Sequence, residues 1–255
     1  MKVIFHEDFY PVYASDPAAA AGRMEAIVDV IRPHVEFILA EPATPEDIGA
    51  VHSQAHINDV ERAGVKYVAT LAAGGAIQAA SLGLRAPSFA LIRPPGHHAS
   101  STSAWGFCYF NNMAIALAHL KINHRIESAY VLDIDLHFGD GTVNILEKQD
   151  YVTVYNVSAG QREAYLEEVR MQLKSCEADI IGISAGFDNH EADWGGTLTT
   201  DDYQNIGRMV QDNTQRRGAG CFAVLEGGYN HEVLGQNVLA LIRGLSTHEA
   251  HRNVT

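Results

Sequence analysis

The stretch VLDIDLHFGDG, residues 131–141, opens like a buried strand and then places Asp133, Asp135 and His137 at alternate positions. Side chains alternate across a strand, so residues two apart share a face. Read this way, two carboxylates and an imidazole line one side of a strand whose other residues belong in a core. An unpaired charge there costs several kcal/mol per ion and calls for a compensating partner.

The strand has company. Apolar, β-rich runs at 2–5, 88–92, 128–135, 152–157, 179–184 and 221–225 alternate with amphipathic or Ala-rich stretches at 65–84, 111–123, 163–176, 200–217 and 231–245. Strands alternating with helices predict an α/β fold, a mostly parallel sheet with helices on both faces. No repeat, low-complexity tract or linker interrupts the 255 residues, so one domain over 1–255 is expected, with the polar end STHEAHRNVT (246–255) frayed.

Bulk properties narrow the function. A hydrophobic content of 47% supports a sizeable core, and no apolar run approaches the length of a membrane span. The start MKVIFHEDFYP is broken by charge and does not read as a leader, so a soluble, cytoplasmic protein without a membrane partner is expected. Cys108, Cys176 and Cys221 form no spaced framework and read as buried thiols. A formal charge of −13 argues against nucleic acid as the ligand and favours small cationic substrates.

The unusual residues cluster just past the expected strands: RPPGHH (93–98), HFGDG (137–141), AGFDNHEADWGG (185–196) and EGGYN (226–230). In open parallel sheets ligands bind at the carboxyl ends of the strands, so four distant segments should meet on one rim. Asp135, His137 and Asp188 make a three-ligand set for a divalent metal with an open position, at about 2.0–2.2 Å for zinc. The adjacent His97 and His98 cannot easily share one metal and read as acid/base groups, with Asp133 and Asp140 to orient them, one carboxylate per histidine. Plainer readings stand beside these: Asp188 as a turn residue, the histidines as hydrogen-bonded loop residues, and Tyr229 and Phe107 as packing aromatics. His190, Glu191 and Asp193 read as solvated rim residues.

RPPGHHA, GFCYFNNMAIA, LDIDLHFGDGT, SAGFD with GGTLTTDDY, and LEGGYN occur in an order and spacing that resembles the histone deacetylase and acetylpolyamine amidohydrolase family, from residue 88 to 245. Jointly these motifs are highly specific. The resemblance implies an arginase-like α/β fold with its active site at the carboxyl ends of the strands. It also implies a zinc-dependent amide hydrolase, with Fe2+ as an alternative metal, that releases acetate from a small acylated amine or acetyl-lysine. By motif position Asp135, His137 and Asp188 resemble the metal ligands and His98 the general base and acid, oriented by Asp140. His97, paired with Asp133, would act electrostatically, and Tyr229 would polarise the substrate carbonyl. Gly106, Phe107, Trp194, Gly227 and Gly228 would line the substrate.

Departures matter as well. Phe138 stands where many relatives have a second histidine, at a position that is not a ligand. Residues 58–71 are too short for the loop whose aspartate grips a peptide backbone, and 156–165 is shorter than the segment bearing a second tunnel aromatic. A homo-oligomer could complete such a rim. The potassium set of relatives aligns poorly at Tyr155 and Asn156, which leaves K+ open. Two further classes remain: an arginase-like dimanganese ureohydrolase, which should show a DxHxD order, and a catalytically silent acyl-amine binder.

Overall fold

The computed structural model describes residues 1–246, so the expected frayed end lies, from residue 247 onward, outside the described residues. Seven strands, β1 (Lys2–Phe5), β2 (Glu36–Leu39), β3 (Ser88–Ala90), β4 (Ala129–Asp133), β5 (Val152–Asn156), β6 (Ile180–Ala185) and β7 (Gly220–Leu225), build one sheet in the order β2-β1-β3-β7-β6-β4-β5. Every pairing is parallel. Every residue of β3, β4, β6 and β7 is buried. Strands covered on both faces read as continuous apolar runs, and these four were legible for that reason. The strand absent from the sequence reading, β2, is a partly exposed edge of four residues.

Helices α1 (Arg23–Ile31), α2 (Pro45–Gly49), α3 (Gln54–Arg62), α4 (Lys66–Gly83), α5 (Asn112–Ile122), α6 (Asp140–Leu146), α7 (Arg162–Ser175), α8 (Thr200–Arg217) and α9 (His231–Leu245) connect the strands. Their ends carry local signals. Asn111 and Asn230 cap α5 and α9 with their side chains, and α8 opens with a Thr199/Asp202 capping box and closes on Gly218 at φ 68°. Helix α4 packs on α5 and against β1, β3 and β7, while α1, α9, α8 and α7 form a row in which each packs on the next and α8 covers β6 and β7. Among the described residues no helix is long and apolar enough to cross a membrane.

The four motif-bearing strands β3, β7, β6 and β4 are the four adjacent central strands. Because all run parallel, their carboxyl ends open on one side, and the loops 91–98, 134–141, 186–196 and 226–230 emerge together.

One expectation fails. Strand β4 stops at Asp133, so Asp135 and His137 do not continue a strand face. The aspartates themselves end it: the Asp133 carboxylate accepts the Asp135 backbone N–H at 3.1 Å, and the Asp135 carboxylate accepts that of His137 at 2.9 Å. Short acidic side chains compete with the sheet ladder for backbone donors two residues on, and the chain curls instead of running straight.

Candidate active site

The curl brings the three donors together. Ligand atoms of Asp135, His137 and Asp188 lie within 4.8 Å of one another. Both carboxylates are buried, and each is tied from behind. Asp135 Oδ2 accepts the Gly227 N–H at 2.8 Å, and Asp188 Oδ1 accepts that of Leu136 at 3.1 Å. Their remaining oxygens converge on His137, whose Nδ1 is 3.2 Å from Asp135 Oδ1 and 3.0 Å from Asp188 Oδ2. One nitrogen donates at most one hydrogen bond, and Asp188 Oδ2 is buried without one. Burial and the Asp135 charge push the Asp188 carboxyl up to about 7. Two crowded carboxylates, an imidazole nitrogen facing both and an orphaned oxygen fit a divalent cation.

His97 and His98 follow β3 and stand with ring centroids 4.0 Å apart. His97 Nδ1 meets Asp133 Oδ2 at 3.1 Å, and its Nε2 faces Asp135 at 3.8 Å. His98 Nδ1 meets Asp140 Oδ1 at 2.7 Å, where α6 begins. The expected pairing of one carboxylate per histidine is the one observed. Burial works to lower the His97 pKa, but the charges of Asp135 and Asp133 outweigh it and hold the ring well above the ordinary histidine value. Burial and the charge of His97 pull His98 down to about 4, against Asp140.

Tyr229 comes from the loop after β7. Its ring stacks on Trp194 at 4.1 Å and meets Phe107 edge-on at 6.0 Å. Burial, with Asp135 nearby, raises its pKa, so the phenol keeps its proton. Motif order, donor geometry and the paired histidines are now joined by a direct comparison: the histone deacetylase domain model matches residues 62–165 and 156–245.

The chain belongs to the histone deacetylase family. A probable deacetylase of Methanothermobacter thermautotrophicus is 32% identical, over 97% of this chain and 91% of that protein. The human polyamine deacetylase HDAC10 is 27% identical, over 95% of this chain and 47% of its own. The crystal structure of the HDA15 HD domain shares the fold, with a TM-score of 0.83 and 23% identity over 98% of this chain and 90% of that one. Histone deacetylase family proteins are metal-dependent hydrolases, and this chain is a deacetylase-type amide hydrolase by membership.

Within this deacetylase framework several residues sit differently from the sequence reading. Gly227 and Gly228 lie behind the metal donors. A Cβ on Gly227 would come 2.5 Å from Asp135 Oδ2 and 2.7 Å from Asp188 Oδ2, so glycine leaves room for the ligands. Gly228 at φ 116° packs on Phe187 and Leu234. Asp193 is no solvated rim residue: its carboxylate accepts the backbone N–H groups of Tyr229 and Asn230, each at 2.8 Å, and that of Trp194. It ties the loop after β6 to the tyrosine. His190 is buried, 3.3 Å from Thr200 Oγ1, whereas Glu191 is exposed as expected. Trp194 is 54% exposed and also meets the His137 ring edge-on at 6.0 Å, so it stands beside one of the metal donors at the surface.

Two supports escaped the sequence reading. Glu226 is fully buried beneath the histidines and accepts the N–H groups of Gly96 and His97, at 2.6 and 3.2 Å; burial raises its pKa to about 7. Its signal was an acid closing the apolar run CFAVLE. Arg23 donates to the carbonyls of Glu226 and Gly228 at 2.6 and 2.9 Å and lies 5.6 Å over the Tyr229 ring, which no local pattern announces. Residues 58–71 form the end of one helix and the start of the next. Helices α3 and α4 are separated only by residues 63–65, and Asp59 and Glu61 are ion-paired with Arg62 and Lys66. The loop after β5 folds back on Glu168, which also holds the Tyr155 hydroxyl, and Asn156 Oδ1 accepts the Gly139 N–H.

Proposed function

We propose that this chain is a zinc-dependent hydrolase that removes an acetyl group from small acylated amines, in preference to acetyl-lysine in structured proteins, and that it works as one catalytic domain. Asp135, His137 and Asp188 are its metal ligands, with Fe2+ able to replace zinc. When bound, the cation acts as a Lewis acid on the amide carbonyl and lowers the pKa of a water molecule. The observation that carries the reading is the contrast between the paired histidines beside these donors. His98, drawn down to about 4, is an uncharged base at neutral pH. With Nδ1 bound to Asp140, its Nε2 is the nitrogen free to take a proton from the attacking water and return it to the leaving amine. His97, kept charged between Asp133 and Asp135, stabilises negative charge as it develops. Tyr229 stays protonated and supplies a hydroxyl donor to the oxyanion.

Substrate preference rests on the rim and the charge. With Asp59 and Glu61 engaged in helix pairs, neither is free to grip a peptide backbone. The net charge of −13 steers cationic amines toward the protein, an effect that fades with salt. A relative named as a polyamine deacetylase is consistent with this. The test is to strip the protein with a chelator, restore it with zinc, and compare kcat/KM for an acetylpolyamine and an acetyl-lysine peptide at low and moderate salt. Turnover should vanish and return while the far-ultraviolet spectrum stays intact, with the polyamine favoured. Turnover untouched by chelation would overturn the metal assignment, and equal or better use of the peptide at both salts would overturn the preference.

A further inference from the structure

Trp105 is 57% exposed, yet it is fastened at two points. Its ring lies on the face of His98, with centroids 3.9 Å apart and planes at 33°. Its indole Nε1–H donates to Asp140 Oδ2 at 2.9 Å, the carboxylate whose other oxygen holds His98 at 2.7 Å. The three side chains close a ring of contacts: Trp105 to Asp140, Asp140 to His98, and His98 back to the indole face.

The backbone is shaped for this contact. The Cys108 N–H donates to the Trp105 carbonyl at 3.0 Å across a turn whose two central residues, Gly106 and Phe107, have φ of 57° and 67°. Left-handed φ at both positions is the mark of a type I′ turn, and for Phe107 it is a strained one. Glycine is required at 106 for a second reason, because a Cβ there would come 2.3 Å from His98 Cδ2. Gly106 therefore serves the packing of His98 as much as any substrate floor.

Asp140 needs such a partner. Its side chain is 43% exposed, whereas that of Asp133, which holds His97, is 1% exposed. Burial raises the Asp140 carboxyl, but the hydrogen bonds from His98 and Trp105 outweigh it and hold it below its usual range. A half-exposed carboxylate is free to rotate and to exchange its histidine for water. A donor on its second oxygen fixes the rotamer, and the indole over His98 excludes water from the ring face.

We infer that Trp105 is a positioning residue: it acts through Asp140 and the stack on His98 to hold the base in its reactive orientation. This rests on the reading of His98 as the base. Since Trp105 buries under half of its surface, removing it changes the fold little.

The test is a double-mutant cycle on metal-loaded protein with metal content and melting temperature matched to the parent. Trp105→Phe keeps a ring on His98 and loses only the N–H. It should lower kcat about tenfold, the scale of one charge-assisted hydrogen bond, with KM held within about twofold. In an Asp140→Asn background the same change should cost far less, because the acceptor it served has lost its charge. Trp105→Ala, which also bares His98, should lose more than Trp105→Phe. Independently of turnover, the indole N–H resonance assigned to Trp105 by its loss in Trp105→Phe should shift in Asp140→Asn. Equal losses in both backgrounds, an unmoved indole resonance, or a raised KM with kcat preserved would each overturn the assignment. His98→Ala separates this from the reading beneath it. If that variant is inactive while Trp105→Phe is unaffected, only the role of Trp105 falls, whereas a fully active His98→Ala removes the base itself.

Discussion

His97 and His98 are sequence neighbours with the same side chain and one aspartate each, yet their surroundings shift them in opposite directions, His97 upward and His98 downward. His97 lies between two fully buried carboxylates at the floor of the site. His98 lies toward the mouth, with one half-exposed carboxylate below its ring and an exposed indole across its face. The difference teaches that the histidine–aspartate pairing alone does not set the direction: two buried carboxylates raise His97 against its burial, while burial and the neighbouring His97 charge outweigh Asp140 and lower His98. In the mechanism proposed above, the floor pair holds a fixed charge and the mouth pair exchanges protons.

The comparison can be broken most directly at the rings. His98→Ala removes both proton transfers and should lower kcat about 10³-fold, within the range for a general acid–base group. His97→Ala should cost clearly less, since it removes charge stabilisation and leaves the base in place. Steady-state kinetics of the two variants, each with its metal content measured, decides the order, and equal losses would mean that the two pairs are not specialised.

A smaller effect separates the two carboxylates by stability. Asp133→Asn leaves a buried hydrogen-bonded pair without its charge and should destabilise the fold by about 1–3 kcal/mol. Asp140→Asn, half-exposed, should leave the melting temperature almost unchanged while lowering kcat. Thermal melts of the two variants alongside their kinetics should therefore cross, with the more stable variant being the more catalytically impaired one.

The finest test is the pH profile. Burial of the ring and, after it, the charge of His97 depress the His98 pKa to about 4, so the acid limb of kcat/KM should lie below the ordinary histidine range. The same shift has a stability sign: below its unfolded pKa the unfolded chain takes up this proton more readily than the folded one, so stability declines as pH falls from the ordinary histidine value toward the folded one. His97→Phe removes the neighbouring charge and should move the acid limb of its residual activity upward. A limb that stays in place would show that His97 is uncharged.

Most of the central sheet was legible because β3, β4, β6 and β7 are apolar throughout, and a run of that kind has few other uses. Edge strand β2 was not, since Glu36 and the exposed Leu39 erase the pattern. The metal donors could be read as a set, but the reason for their convergence could not. Period-two logic placed Asp133, Asp135 and His137 on one strand face, whereas carboxylate capture of backbone N–H groups brings the donors together. Charge alone made Asp193 look solvated, although three backbone donors surround its carboxylate. The hydrogen bonds of Glu226, Arg23 and Trp105 reach residues 35 to 205 positions away, and no local window holds both partners.

The strand order itself separates what can change from what cannot. Chemistry occupies the four middle strands, and the edges β2 and β5 carry none of the metal donors or catalytic side chains proposed here. Insertions or deletions in the connections beside those edges, such as residues 63–65 or 157–161, would reshape the mouth while leaving the metal donors in register. On the proposed reading, such a scaffold would exchange one clientele for another by editing its borders while the motifs at its centre stay the same.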